Sequence, residues 1–151
     1  MKKPFFEDKQ ELLVSTLTQW MGTPWRHHCH VKGRGADCIG MVYGVMTETR
    51  AMAPVEIPKY PRDWHLHNDN QLLIAGLRCI PELIEVLPTD PMMNGDILVF
   101  RYGKSSSHTG IFCNRQIWHL PTDLTTVRSP FNERQYRDRL THVFRCMEDV
   151  P

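Results

Sequence analysis

Lys32-Gly33-Arg34-Gly35-Ala36-Asp37-Cys38-Ile39-Gly40 is a glycine-rich loop that runs straight into an apolar-periodic segment, Ile39, Met41, Val42, Val45 and Met46. The spacing predicts a helix over residues 37–49 with Cys38 at its start. Unpaired N–H groups and the helix dipole at that end favour a thiolate, the nucleophilic form of sulfur. Gly40 and Gly44 lie one turn apart and predict a close approach by another element.

Two histidines lie far downstream. His108 sits in Ser-Ser-Ser-His-Thr-Gly-Ile-Phe and His119 in Gln-Ile-Trp-His-Leu. A cysteine with distant histidines fits nucleophilic catalysis, in which a base takes the thiol proton and a third group orients the base. If the two flanking strands pair antiparallel across a turn near Asn114, position 108 falls opposite 119 or 120. His119 would then stand beside His108.

The rest of the chain reads as helices first and strands later. Residues 8–21 carry Leu12, Leu13, Leu17, Trp20 and Met21 at helical spacing, and Gly22-Thr23-Pro24 ends that helix. Residues 25–36 form a basic, histidine-rich loop. Residues 51–67 hold Pro54, Pro58 and Pro61 and form no long regular element. Residues 68–78 predict a short third helix capped by Asn68 or Asp69, and residues 83–87 fit either a strand or a helical turn. Strands are expected at 97–100, 109–113, 115–120, 124–128 and 142–147, with Asn114-Arg115 as a tight connection. The polar run 134–139 predicts an exposed turn or short helix. The pattern is an α+β fold with a mainly antiparallel sheet.

Composition narrows the function classes. The chain has 151 residues, 41% of them hydrophobic and 23% charged, which fits one soluble domain spanning 1–151. A formal net charge of +1 gives no field that points to nucleic acid. Five cysteines, Cys29, Cys38, Cys79, Cys113 and Cys146, do not form a disulfide framework. Cys79, Cys113 and Cys146 have apolar neighbours in sequence and are expected to be inert. The N-terminus lacks the apolar core of a signal peptide, and no stretch is apolar enough to insert in a membrane. Synthesis in the cytoplasm without a leader is therefore expected.

His27, His28, Cys29 and His30, with His65 and His67, are metal-ligand types. Four adjacent candidates in one loop cannot all converge on one ion, so no metal and no cofactor is expected. Arg26, Lys32 and Arg34 make the loop basic, as a solvated face or as a seat for an anionic group that helps hold the thiolate.

Together these residues resemble the NlpC/P60 superfamily of papain-like cysteine peptidases. Trp20 to Arg26 is similar to its Gly-Thr-Pro-Tyr-Arg lead-in, and Asp37-Cys38-Ile39-Gly40 to its Asp-Cys-Ser-Gly nucleophile motif. Asn94 to Phe100 is similar to its Pro-Gly-Asp strand, and His108-Thr109-Gly110-Ile111 to its His-Val-Gly-Ile strand. His119 falls where the third polar residue belongs. Pro58 to Trp64 is similar to a segment of the phage-tail and gene-transfer-agent branch.

The resemblance implies a papain-like fold and hydrolysis of amide bonds in peptidoglycan stem peptides, often beside D-glutamate and a diamino acid. It implies Cys38 as nucleophile, His108 as base and His119 as orienter, with Trp25, Arg26, Asp37 and Ile39 contacting substrate. It also implies phage-like tail proteins as partners and action in a tail particle at the cell wall. The Pro-rich segment and residues 147–151 are the expected docking surfaces. Two positions depart from the pattern. Trp25 stands for the usual tyrosine and has no phenolic hydroxyl, and Ile39 stands for the usual serine. These departures keep open a second reading, a structural tail-tip protein that retains the fold. A zinc module built on the histidine loop is the third.

Overall fold

The computed structural model describes residues 1–60, 72–102, 105–132 and 134–151. The elements run β1 (Lys2–Pro4), α1 (Gln10–Trp20), β2 (His30–Val31), β3 (Gly35–Ala36), α2 (Cys38–Glu48), α3 (Leu72–Arg78), β4 (Leu83–Val86), β5 (Ile97–Tyr102), β6 (Ser105–Cys113), β7 (Gln116–His119), β8 (Val127–Pro130), α4 (Arg134–Arg137) and β9 (Leu140–Asp149). This is the expected α+β architecture on a mainly antiparallel sheet.

Strand β9 is the spine of that sheet. It pairs β5 from Leu140 to Phe144, β4 from Val143 to Cys146, and β1 from Met147 to Asp149. Strands β6, β7 and β8 continue the order beyond β5. Side-chain alternation along β5 divides two apolar clusters. Ile97 and Val99 join the large cluster with Leu13, Leu17, Trp20, Met41 and Val45 of the helices. Leu98 and Phe100 join a smaller one with Ile117, Tyr136 and Val143.

Helix α2 starts as its sequence predicts. Asp37 caps it with extended backbone, and its Oδ1 accepts from the Gly40 N–H at 2.7 Å. Gly40 and Gly44 mark close approaches. A Cβ at Gly40 would meet the Cys29 carbonyl oxygen at 1.9 Å, and one at Gly44 would meet the Trp20 ring at 2.2 Å. Both glycines therefore fix how α2 seats against the lead-in loop and α1.

Several elements differ from expectation. Strand β1 has only three residues and no alternation of its own; pairing with β9 makes it a strand. That pairing places Met147 to Asp149 within the sheet, so they are not a free docking tail. The basic loop contains the two-residue ladder β2–β3. Residues 83–87, open between strand and turn, hold strand β4. The strand expected at 124–128 is split: Leu124 and Thr126 bond the lead-in loop at Trp25 and Thr23, and β8 proper begins at Val127. Of the third helix, residues 72–78 are described, and its expected caps Asn68 and Asp69 lie outside the described residues. The 134–139 run holds the four-residue α4, but its Tyr136 is buried rather than exposed. Cys79 is exposed at the end of α3, whereas Cys113 and Cys146 are buried. Among the described residues, no helix is long and apolar enough to cross a membrane.

Candidate active site

The start of α2 meets β6 at a cleft of about 380 Å³. Cys38, His108 and His119 all line it, as do Trp25, Asp37, Ile39, Tyr60 and Tyr102. The Cys38 sulfur lies 3.8 Å from the carbonyl oxygen of Ser107, the residue before His108.

His108 and His119 are joined directly, with Nε2 of the first 2.8 Å from Nδ1 of the second. The register that achieves this is not the expected one. Asn114 and Arg115, with φ of 52° and 62°, form a two-residue turn that closes on the pair Cys113 and Gln116. Gly110, not position 108, therefore stands opposite His119. His108 is two residues further along, on the same face, so the histidines meet diagonally. A shift of one residue would have sent them to opposite faces.

The chain of polar contacts goes one strand further. His119 Nε2 is 3.3 Å from the Ser129 hydroxyl on β8, and Val127, not Ser129, is directly opposite His119. This second diagonal contact carries no sequence signal, because a lone serine in a polar stretch marks nothing. Tyr136 packs edge-on to His119 at 5.4 Å, and Tyr102 packs edge-on to His108 at 5.7 Å.

Electrostatics in the cleft run against the thiolate expectation. Burial pushes the Cys38 thiol up to about 12, and the Asp37 carboxylate adds to the effect. The N–H groups of Thr109, Ile39 and Cys38 favour the thiolate but are outweighed. Burial, then the neighbouring His119, lowers His108 to about 3, and burial lowers His119 to about 4. Burial thus favours the neutral forms of both groups, a thiol and an imidazole.

The other expected residues divide. Trp25 and Ile39 line the cleft. Asp37 also borders it, but the residue is 4% exposed and its carboxylate is engaged by Gly40 N–H, His28 N–H and the Tyr60 hydroxyl. Arg26 does not line the cleft; its aliphatic stem lies across Gly35. Lys32 turns away to Gln19 and Glu48, at 2.6 and 3.1 Å, so it does not hold a thiolate. The histidine loop is spread out. His28 Nε2 is 3.0 Å from the Pro58 carbonyl, and His30 packs on Tyr43. Among the described residues, no three His, Cys, Asp or Glu side chains are placed to hold a metal ion. His65 and His67 lie outside the described residues.

Tyr60 was not singled out as a site residue in the sequence. Its ring lies 5.4 Å from that of His27 and 5.0 Å from that of His28, and its hydroxyl donates to Asp37 Oδ2. A phenol thus stands beside the nucleophile although Trp25 cannot supply one. It comes from a Pro-rich segment with no periodicity to place it.

Solved structures share this fold at low identity. The NLP/P60-family protein similar to a lipoprotein from Staphylococcus aureus aligns with a TM-score of 0.64 at 14% identity, over 97% of this chain and 44% of that one. The NlpC/p60 domain of the peptidoglycan hydrolase SagA aligns at 0.54 and 14%, over 89% and 97%. The peptidoglycan hydrolase RipB from Mycobacterium tuberculosis aligns at 0.56 and 18%, over 92% and 65%. A Bacillus cereus NlpC/P60 protein aligns at 0.58 and 18%, over 89% and 39%. This chain therefore spans less than half the length of the S. aureus and B. cereus proteins. No curated protein sequence matches it. The model of the NlpC/P60 family matches residues 22–145. That span holds the cysteine, both histidines and the strands that bring them together, and the chain belongs to the NlpC/P60 family.

Proposed function

We propose that this chain is a cysteine peptidase that hydrolyses amide bonds in peptidoglycan stem peptides. The observation that carries the reading is that Cys38, His108 and His119 line one cleft, with His108, His119 and Ser129 joined in a chain of polar contacts. With His108 Nε2 engaged by His119, Nδ1 is the nitrogen left for the thiol. For Nδ1 to accept, Nε2–H of His108 must donate to His119 Nδ1, and Nε2–H of His119 then donates to Ser129. His119 and Ser129 can accommodate the tautomer that a general base needs, because the serine hydroxyl is able to accept.

In acylation, the Cys38 proton passes to His108 Nδ1 as sulfur attacks the substrate carbonyl carbon. The C–S bond forms, the C–N bond breaks, and His108 returns the proton to the leaving amine. Water, deprotonated by His108, then cleaves the thioester and regenerates the thiol. Proton transfer coupled to attack suits a site in which neither group is charged at rest. The test is acid-quenched digestion followed by peptide mass spectrometry. A stem-peptide acyl adduct on Cys38 is expected; turnover with no adduct there at any time would contradict the mechanism.

The substrate class is supported by family membership and by the hydrolase neighbours SagA and RipB. The finer setting, action as part of a phage-like tail at the cell wall, is supported by the resemblance of Pro58 to Trp64 to that branch; residues 61–64 lie outside the described residues. Purified particles from the source organism should contain this chain. Its presence solely as a free enzyme outside particles would overturn the tail setting.

A further inference from the structure

We infer that Tyr60 is a positioning residue for the nucleophile, acting through the Asp37 carboxylate that caps the Cys38 helix. The inference rests on Cys38 being the nucleophile. Asp37 is buried beside the sulfur, and its charge opposes ionisation of the thiol. Three donors answer that charge. Gly40 N–H and His28 N–H are backbone groups at 2.7 and 2.9 Å, and the Tyr60 hydroxyl is a side chain. Among the described hydrogen bonds to Asp37, it is the one that a substitution can remove without touching the backbone.

Tyr60 is held for this task. Its ring is half-buried against His27 and His28, and His28 Nε2 is 3.0 Å from the Pro58 carbonyl two residues before it. The segment leading to Tyr60 is thereby tied to the lead-in loop, and the phenol is aimed at Asp37 Oδ2 rather than at solvent. Tyr60 also forms part of the cleft wall with Cys38. Donation to Oδ2 draws carboxylate charge away from the sulfur and fixes the helix start. His108 and His119 line the same cleft and burial favours their neutral forms, whereas the Asp37 carboxylate acts on the thiol as a charge that a neighbour can modulate.

The test uses Tyr60→Phe, which keeps the ring and removes the hydroxyl. Iodoacetamide labelling of Cys38 is measured at one pH near neutrality by peptide mass spectrometry, with exposed Cys79 as internal reference. The Cys38 to Cys79 rate ratio is expected to fall about tenfold, as for a hydrogen bond to a charged acceptor. On peptidoglycan fragments kcat should fall while KM stays within about twofold, because the ring that lines the cleft remains. In an Asp37→Asn background the same Tyr60→Phe change should alter the labelling ratio by less than about twofold, since the charge it answers is gone.

An unchanged ratio in Tyr60→Phe would overturn the proposal, as would an equal loss in both backgrounds. If Tyr60→Phe does not fold, the double variant is read against Asp37→Asn alone, and an effect there above twofold refutes the proposal. Cys38→Ala separates the two readings. Full hydrolysis by that variant defeats the nucleophile assignment, whereas its loss with an unaffected Tyr60→Phe defeats this inference alone.

Discussion

His108 and His119 occupy neighbouring strands at diagonal positions, and their rings meet through one hydrogen bond of 2.8 Å. The bond joins Nε2 to Nδ1, so the pair shares a single proton between two acceptor-capable nitrogens. Which nitrogen carries that proton decides whether His108 can act as a base. When Ser129, behind His119, accepts from the other nitrogen of His119, the shared proton sits on His108 Nε2 and His108 Nδ1 is free to act as base.

The two histidines should therefore differ in cost. His108→Ala removes the proton acceptor and should lower kcat/KM by about 10²–10⁴-fold. His119→Ala leaves the acceptor but frees its tautomer and should cost less, on the order of tenfold. Steady-state hydrolysis of muropeptide substrates checks both. Wild-type rates in His108→Ala would remove it from the mechanism.

Acidity should leave activity unusually flat. A base lowered to about 3 by burial is unprotonated throughout the ordinary assay range, and a thiol raised to about 12 stays protonated. The kcat/KM profile should thus show no limb near 6.5 and should run level from about pH 5 to pH 9. A bell with one arm near 6.5 would mean that an ion pair, not a neutral pair, is the working state.

Much of the site was legible because its signals are local. The run Gly35 to Gly40 announces a capped helix start, and Asp37 and Cys38 stand there as expected. His108 and His119 are each on the anticipated strands. Their register was not legible, since it depends on which two residues form the turn at 114–115, and Asn-Arg is a weak turn signal. Tyr60 and Ser129 were invisible for a related reason. Tyr60 reaches the cleft from a Pro-rich segment and Ser129 reaches His119 from an edge strand, both by long-range packing, and no periodicity connects them to Cys38. The forces acting on the thiol were only half legible, because a helix start is a local feature, whereas burial is a property of the whole fold.

Stability should fall on the acid side. His108 and His119 have native values below their unfolded ones, so between those values the unfolded chain binds more protons than the native one. Their neutral burial is then fully compatible with folding above about 6.5 and increasingly opposed as pH falls toward 4, by up to about 1.4 kcal/mol per pH unit for each group. Denaturant melts at pH 7, 6, 5 and 4 measure the slope, and His119→Gln should flatten it. An unchanged slope in that variant would assign the acid sensitivity elsewhere.

Asp96 and Arg145 tie two strands of the sheet together outside the cleft. Asp96 is 1% exposed and accepts two bonds from the guanidinium, each at 2.8 Å, joining the start of β5 to β9. Replacing Arg145 by Ala strands a buried carboxylate and should cost about 3 kcal/mol in a denaturant titration. A cost below about 1 kcal/mol would show the pair to be dispensable. Because neither residue lines the cleft, folded protein of this variant should keep its KM.

The central claim is that Cys38 performs amide hydrolysis on the cell wall. Purified peptidoglycan digested with the wild type and with Cys38→Ala, followed by mass identification of released fragments, tests it most directly. The account predicts fragments cut within the stem peptide from the wild type and none above background from the folded variant. Equal fragments from both proteins, or no fragments from the wild type on peptidoglycan of any stem composition, would contradict it.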